Sequence, residues 1–137
     1  MNLVQTRAVC AAFIGESQYR TMLVASRGEE GEFFKSKFDR VARIIQTMPR
    51  TYGQDGLGRK AIAYLHYFTS GADWYITELD ADSVDGEGQR QCFGVANIGH
   101  GDTDMGYISL PEILEAGAEL DLHFEPQTIE SIEKANV

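Results

Sequence analysis

The feature that most limits the fold of this chain is a change in apolar spacing at Pro49. In residues 29–49, "EEGEFFKSKFDRVARIIQTMP", Phe34, Phe38, Val41, Ile45 and Met48 recur at steps of three and four, and Ile44 widens the stripe. That spacing puts them on one side of an α-helix. Glu29, Glu30 and Glu32 fall at its start and Arg40 and Arg43 later, as the helix dipole favours, and Pro49 ends it. A shorter helix is expected upstream in "SQYRTMLVASR" (17–27), with Ser17 as N-cap and Gly28 as breaker. Beyond Pro49 the helical stripe gives way to short runs rich in β-branched and aromatic residues.

After a glycine-rich loop, "RTYGQDGLGRK" (50–60), those runs read as strands. "KAIAYLHYF" (60–68) and "WYITELD" (74–80) flank the turn "TSGAD" and pair as a hairpin. "RQCFGVANIG" follows, in which Gly94 marks a bulge or a close contact. "MGYISL" is a fourth strand. Ser109 and Pro111 then open a short helix, "PEILEAG", which Gly117 stops. "ELDLHFEP" is a last short strand, and "QTIESIEKANV" a C-terminal helix. The expected order is α-α-β-β-β-β-α-β-α. Hairpin-length connections make the sheet antiparallel, so the fold class is α+β: about four to five antiparallel strands covered by the N-terminal helical arm in two layers. The arm is residues 1–49 and the sheet domain residues 50–137, together one compact unit.

With 137 residues the chain has the size of one ordinary domain. Its charge is segregated. Residues 1–60 hold ten Lys and Arg against six Asp and Glu, a net +4. Residues 61–137 hold two against fifteen, a net −13. An acid excess of that size repels phosphates, so direct nucleic-acid binding through the acidic part is disfavoured. The uncharged run near the start, "AVCAAFIG", is too short to span a bilayer and makes a poor signal peptide. A soluble cytoplasmic protein with no membrane partner is expected. Cys10 and Cys92 stand alone, outside any ligand spacing, and are expected as two buried thiols.

The stretch from Met48 to Thr128 carries "MPRTYGQDGLG", "AYLHYFTSGADWYITELD", "CFGVANIG", "MGYISLPEI" and "ELDLHFEPQTI" in succession. It resembles an uncharacterised domain family of unknown function encoded on bacterial plasmids, phages and integrative elements. The resemblance implies an accessory protein of a mobile element. It brings no reaction, ligand or catalytic residue with it. The family varies between "FG" and "GYIS", so "GHGDTD" is not part of the shared pattern.

Several constellations could carry chemistry. A metal site would draw on His100, Asp102, Asp104 and His123, since two histidines and a carboxylate suit iron, zinc or manganese. No HxH or HxxxH spacing supports it, and His66 and His123 both read as mid-strand. Asp-Thr-Asp lacks the further ligands of a calcium loop. "YGQDGLGRK" echoes a phosphate loop without its spacing or its following helix. Glu78, under strict alternation, shares a face with Trp74 and Ile76, while Tyr75, Thr77 and Leu79 share the other. Burial is how proteins keep a carboxyl protonated for acid catalysis, which makes Glu78 a candidate acid or base beside His100 and His123.

The favoured expectation is not an enzyme. It is an acidic protein-binding module with no cofactor, meeting a basic, nucleic-acid-binding protein. Its contact residues would be Asp80, Asp82, Asp85, Glu87, Asp102 and Asp104, with the aromatics Trp74, Tyr75 and Tyr107. The alternatives are a metal-assisted hydrolase or nuclease, and a regulatory or structural domain touching DNA through the basic arm (Lys35, Lys37, Arg40, Arg43). The oligomeric state is open.

Overall fold

The computed structural model describes residues 3–80, 91–96 and 105–135. The chain divides into two units, Met1–Thr47 and Met48–Val137, so the break lies just before the proline that ends the long helix. Among the described residues, no helix is long and apolar enough to cross a membrane.

The first unit is helical: α1 (Leu3–Ala11), α2 (Glu16–Ala25) and α3 (Gly31–Thr47). The expected stripe on α3 is present. Phe38, Val41 and Ile45 are buried, as is Met48 just beyond, and Phe34 and Ile44 are half-buried. Tyr19 of α2 meets Phe38 edge-on, with ring centroids 5.8 Å apart. Helix α1 was not expected. Its sequence, "LVQTRAVCA", has no apolar stripe, because exposed Val4 and buried Thr6 and Cys10 break any pattern. It is tied to α3 by polar contacts instead. Thr6 Oγ1 donates to Asp39 Oδ1 at 3.4 Å, and the Cys10 thiol donates to the Phe38 carbonyl at 3.3 Å.

The second unit is α+β, as expected. Strands β2 (Leu65–Phe68), β3 (Asp73–Leu79), β4 (Gln91–Ala96) and β5 (Met105–Ser109) form the antiparallel meander. β6 (Glu119–Leu120) adds to the free edge of β2, giving the order β5-β4-β3-β2-β6. A separate pair joins β1 (Ile62–Ala63) to β7 (Gln127–Thr128). "KAIAYLHYF" is therefore two strands rather than one. Its first half pairs with the C-terminal segment and its second half with β3. Helix α4 (Leu110–Glu115) starts as expected, with Ser109 Oγ accepting from the Glu112 N–H and Pro in the first turn. Gly117, at φ +95°, stops it in the left-handed region. Helix α5 (Ile129–Ala135) is capped by Thr128, whose Oγ1 accepts from the Ser131 N–H at 3.1 Å.

Residues opposite one another across antiparallel strands share a face. His66, Tyr75, Val95 and Met105 form one such row, and α5 packs Ile129 and Ile132 over its centre. This helix is a cover for the sheet that the expectation of a single covering arm left out. On the other face Leu65, Tyr67, Ile76, Leu79, Cys92, Ile108 and Leu120 are all buried.

The pairing of β3 with β4 slips between Ile76, opposite Gly94, and Glu78, opposite Phe93. Thr77 is the extra residue of a β-bulge. A Cβ on residue 94 would lie 2.0 Å from the Tyr75 carbonyl oxygen and 3.0 Å from the Ile76 Cα. Only glycine permits that approach, which is the bulge or close contact that Gly94 suggested. The slip reverses the alternation beyond it. Glu78 joins the face of Tyr75, and Leu79 stays with Ile76 and Trp74. The expected grouping of Glu78 with Trp74 is thus overturned by one inserted residue.

Candidate functional site

The bulge delivers Glu78 to a pocket of about 350 Å³ between the sheet and the loop that precedes β1. From the sheet come Glu78, Phe93, Met105 and Tyr107; from the loop come Thr51, Tyr52, Gln54, Asp55, Gly56 and Gly58. Register explains the sheet side, since Glu78, Phe93 and Tyr107 are successive partners across β3, β4 and β5. Phe93 and Tyr107 pack edge-on at 5.4 Å.

The loop is held by Gln54, itself buried. Its amide nitrogen donates to the carbonyls of Ile62 at 2.8 Å and Thr77 at 2.9 Å, and its oxygen accepts from the Ile62 N–H at 2.7 Å. One side chain thereby satisfies the bulge carbonyl and fixes the loop over the site. Thr77 Oγ1 completes the bulge by donating to the Phe93 carbonyl at 3.0 Å. Tyr52 is held at φ +68°, the only non-glycine residue at positive φ among the described residues. That conformation costs an L-residue about 1–2 kcal/mol, and it leaves the Tyr52 ring 72% exposed at the rim. Tyr107, 63% exposed, faces it. Hydrogen bonding to Tyr52 pushes the Tyr107 phenol above its ordinary range, and the charges of Asp80 and Glu78 add to the effect.

Glu78 is 4% exposed; its backbone pairs with Phe93 in the ladder, and its side chain makes no hydrogen bond to another described residue. Among the described lining residues there are two carboxylates, Glu78 and Asp55, and no Lys or Arg. Among its described residues, then, the lining is acidic and aromatic with no basic side chain.

The other anticipated residues are distributed as follows. Asp82, Asp85, Glu87, His100, Asp102 and Asp104 lie outside the described residues. Asp80 is half-buried at the end of β3, its N–H donating to the Gln91 carbonyl. Trp74 is half-buried on the opposite face from the pocket. Tyr75 is only 8% exposed, so it is a core residue and not a contact aromatic. It stacks on His66, with parallel rings 4.3 Å apart.

His66 sits between two carboxylates. Its Nε2 is 2.7 Å from Asp73 Oδ1 and its Nδ1 is 3.0 Å from Asp121 Oδ2. A cationic imidazole donates from both nitrogens and satisfies both oxygens at once. The arrangement ties β2 to β3 and to the turn after β6. His123 is exposed in that turn rather than mid-strand, because Asp121 Oδ1 accepts its backbone N–H at 2.9 Å and bends the chain. Among the described residues, no group of three or more His, Cys, Asp and Glu is arranged to hold a metal ion. Both cysteines are free and buried. Burial pushes each thiol up to about 12, with Asp80 adding to the effect at Cys92, which makes them poor nucleophiles.

Sequence reasoning missed Tyr52, Gln54, Phe93 and Met105 as parts of a site. The one usable signal was the concentration of glycines in "YGQDGLG", which marks a loop able to fold back on the sheet. Comparison of the chain with protein-family models, with curated proteins and with solved structures finds no match.

Proposed function

We propose that this protein is an acidic, non-enzymatic binding module, an accessory protein of a mobile genetic element that engages a basic, nucleic-acid-handling protein of the host. The observation that carries this reading is the pairing of two Lys and Arg with fifteen Asp and Glu over residues 61–137. The same part of the chain supplies the sheet wall of the acidic, aromatic pocket. Charge complementarity of this kind raises association rate and selects partners by sign. It also disfavours direct contact with nucleic acid, so competition with nucleic acid for the partner's basic surface is the coherent mode of action.

The test is capture of host proteins on the immobilised protein over a salt series, with duplex DNA as competitor. Captured proteins should be nucleic-acid-binding, released by DNA, and progressively lost as salt screens the contact. Retention indifferent to both salt and DNA, or no capture at physiological salt, would refute the reading.

A further inference from the structure

We propose that the Glu78 pocket is a receptor for a single arginine side chain presented by a protein partner. This deepens the binding-module reading, on which the identity of the presenting molecule rests, but the pocket chemistry stands on its own observations. Glu78 is more than nine-tenths buried, lines the pocket, and makes no side-chain hydrogen bond to another described residue. A carboxylate so placed calls for a cation. Tyr52, Phe93 and Tyr107 surround the approach, and the negative faces of aromatic rings attract cations. Asp55 adds a second negative charge in the loop wall.

The nature of the cation follows from the walls. Calcium and magnesium need a shell of several oxygen ligands, whereas one buried carboxylate and three rings offer a single anionic face with apolar sides. An ammonium is strongly hydrated and forms a point contact. A guanidinium is weakly hydrated, planar, able to stack on tyrosine, and matched to a carboxylate by two parallel N–H donors. A pocket of about 350 Å³ admits it with its aliphatic stem, and the stem is the part that Met105 and Phe93 can cover.

The test uses the full chain and Nα-acetyl-L-arginine N-methylamide, followed by the tyrosine and methionine-methyl NMR signals. Saturable one-to-one binding with Kd on the order of a millimolar is expected, with shifts at Tyr52, Tyr107 and Met105. The lysine analogue should bind about tenfold more weakly. Glu78→Gln should weaken arginine binding at least about tenfold, and Tyr107→Ala, at an exposed position, about threefold. Absence of saturable binding, equal affinity for the lysine analogue, or unchanged binding by Glu78→Gln would each overturn the proposal. Tyr107→Ala keeps the test decisive if the glutamine variant misfolds, since no loss in that variant refutes the aromatic wall. Salt-sensitive partner capture without arginine binding would overturn the pocket and leave the binding module standing. Arginine binding without partner capture would support the pocket and overturn the module.

Discussion

Replacing Gln54 with alanine should loosen the second unit at the place where the pocket is built. The side chain makes three hydrogen bonds to backbone, one from the Ile62 N–H and two to the carbonyls of Ile62 and Thr77. A typical net contribution is about 1 kcal/mol per bond, rising when the abandoned group stays buried. Thr77 is fully buried, so its carbonyl has little access to replacement water. The sum is a loss of about 3 kcal/mol for Gln54→Ala. Gln54→Met removes the same three bonds while keeping the volume, so it should lie within about 1 kcal/mol of alanine. Trp74, the single tryptophan, reports from β3 beside the bulge. Urea unfolding followed by its fluorescence should show a midpoint about 1.5–2 M lower, for a slope of about 1.5–2 kcal/mol/M. The Ile62 amide should lose its protection from hydrogen exchange in both variants. A midpoint within about 0.3 M of the parent, or an Ile62 amide that stays protected, would show that Gln54 does not hold the loop.

Gly94→Ala places a methyl against the Tyr75 and Ile76 backbone, which cannot swing away. A loss of at least about 3 kcal/mol is expected, and thermal unfolding that shifts by less than a third of that would count against the close approach. His66→Phe keeps the stack on Tyr75 but abandons Asp73 and Asp121, at a cost of about 2 kcal/mol given their partial exposure. Adding Asp73→Asn and Asp121→Asn should return part of it, and no recovery would argue that charge is not the issue. Cys92 holds its proton up to about 12, against an ordinary 9.0. Its contribution is complete below pH 9 and is lost at about 1.4 kcal/mol per pH unit as pH rises toward 12, because the unfolded thiol ionises first. Urea midpoints between pH 8 and 11 should therefore fall more steeply in the parent than in Cys92→Ala, and parallel slopes would contradict the assignment.

What could be read from the sequence was whatever depends on neighbours in the chain. The α3 stripe, the β2–β5 meander, the Ser109 cap and the Gly117 stop are local patterns, and each is present. Gly94 is the instructive intermediate. Its position within a strand pointed to a bulge, yet nothing in "RQCFGVANIG" says which strand carries the extra residue. Strict alternation along "WYITELD" therefore put Glu78 on the wrong face. Helix α1 was missed because polar tethers hold it, and the split at Tyr64 because two different partners pair with one apolar run. The pocket was illegible for a related reason. Tyr52 and Gln54 reach Glu78 and Tyr107 only through folding of a loop onto a distant row of the sheet, and no spacing rule spans that separation.

The phase of β3 beyond Ile76 depends on a single residue, Thr77. Deleting it would leave Glu78 and Leu79 on their present faces, whereas one residue inserted between Phe93 and Gly94 would give Thr77 a partner and restore an unbroken alternation, turning Leu79 toward the loop and Glu78 into the apolar face. The same gene would thus pass between an acid-lined pocket and a plain closed sheet by one inserted codon, without any change in its other amino acids. For a lineage under pressure to gain and shed partners, that is a shorter route than remodelling the pocket by substitution.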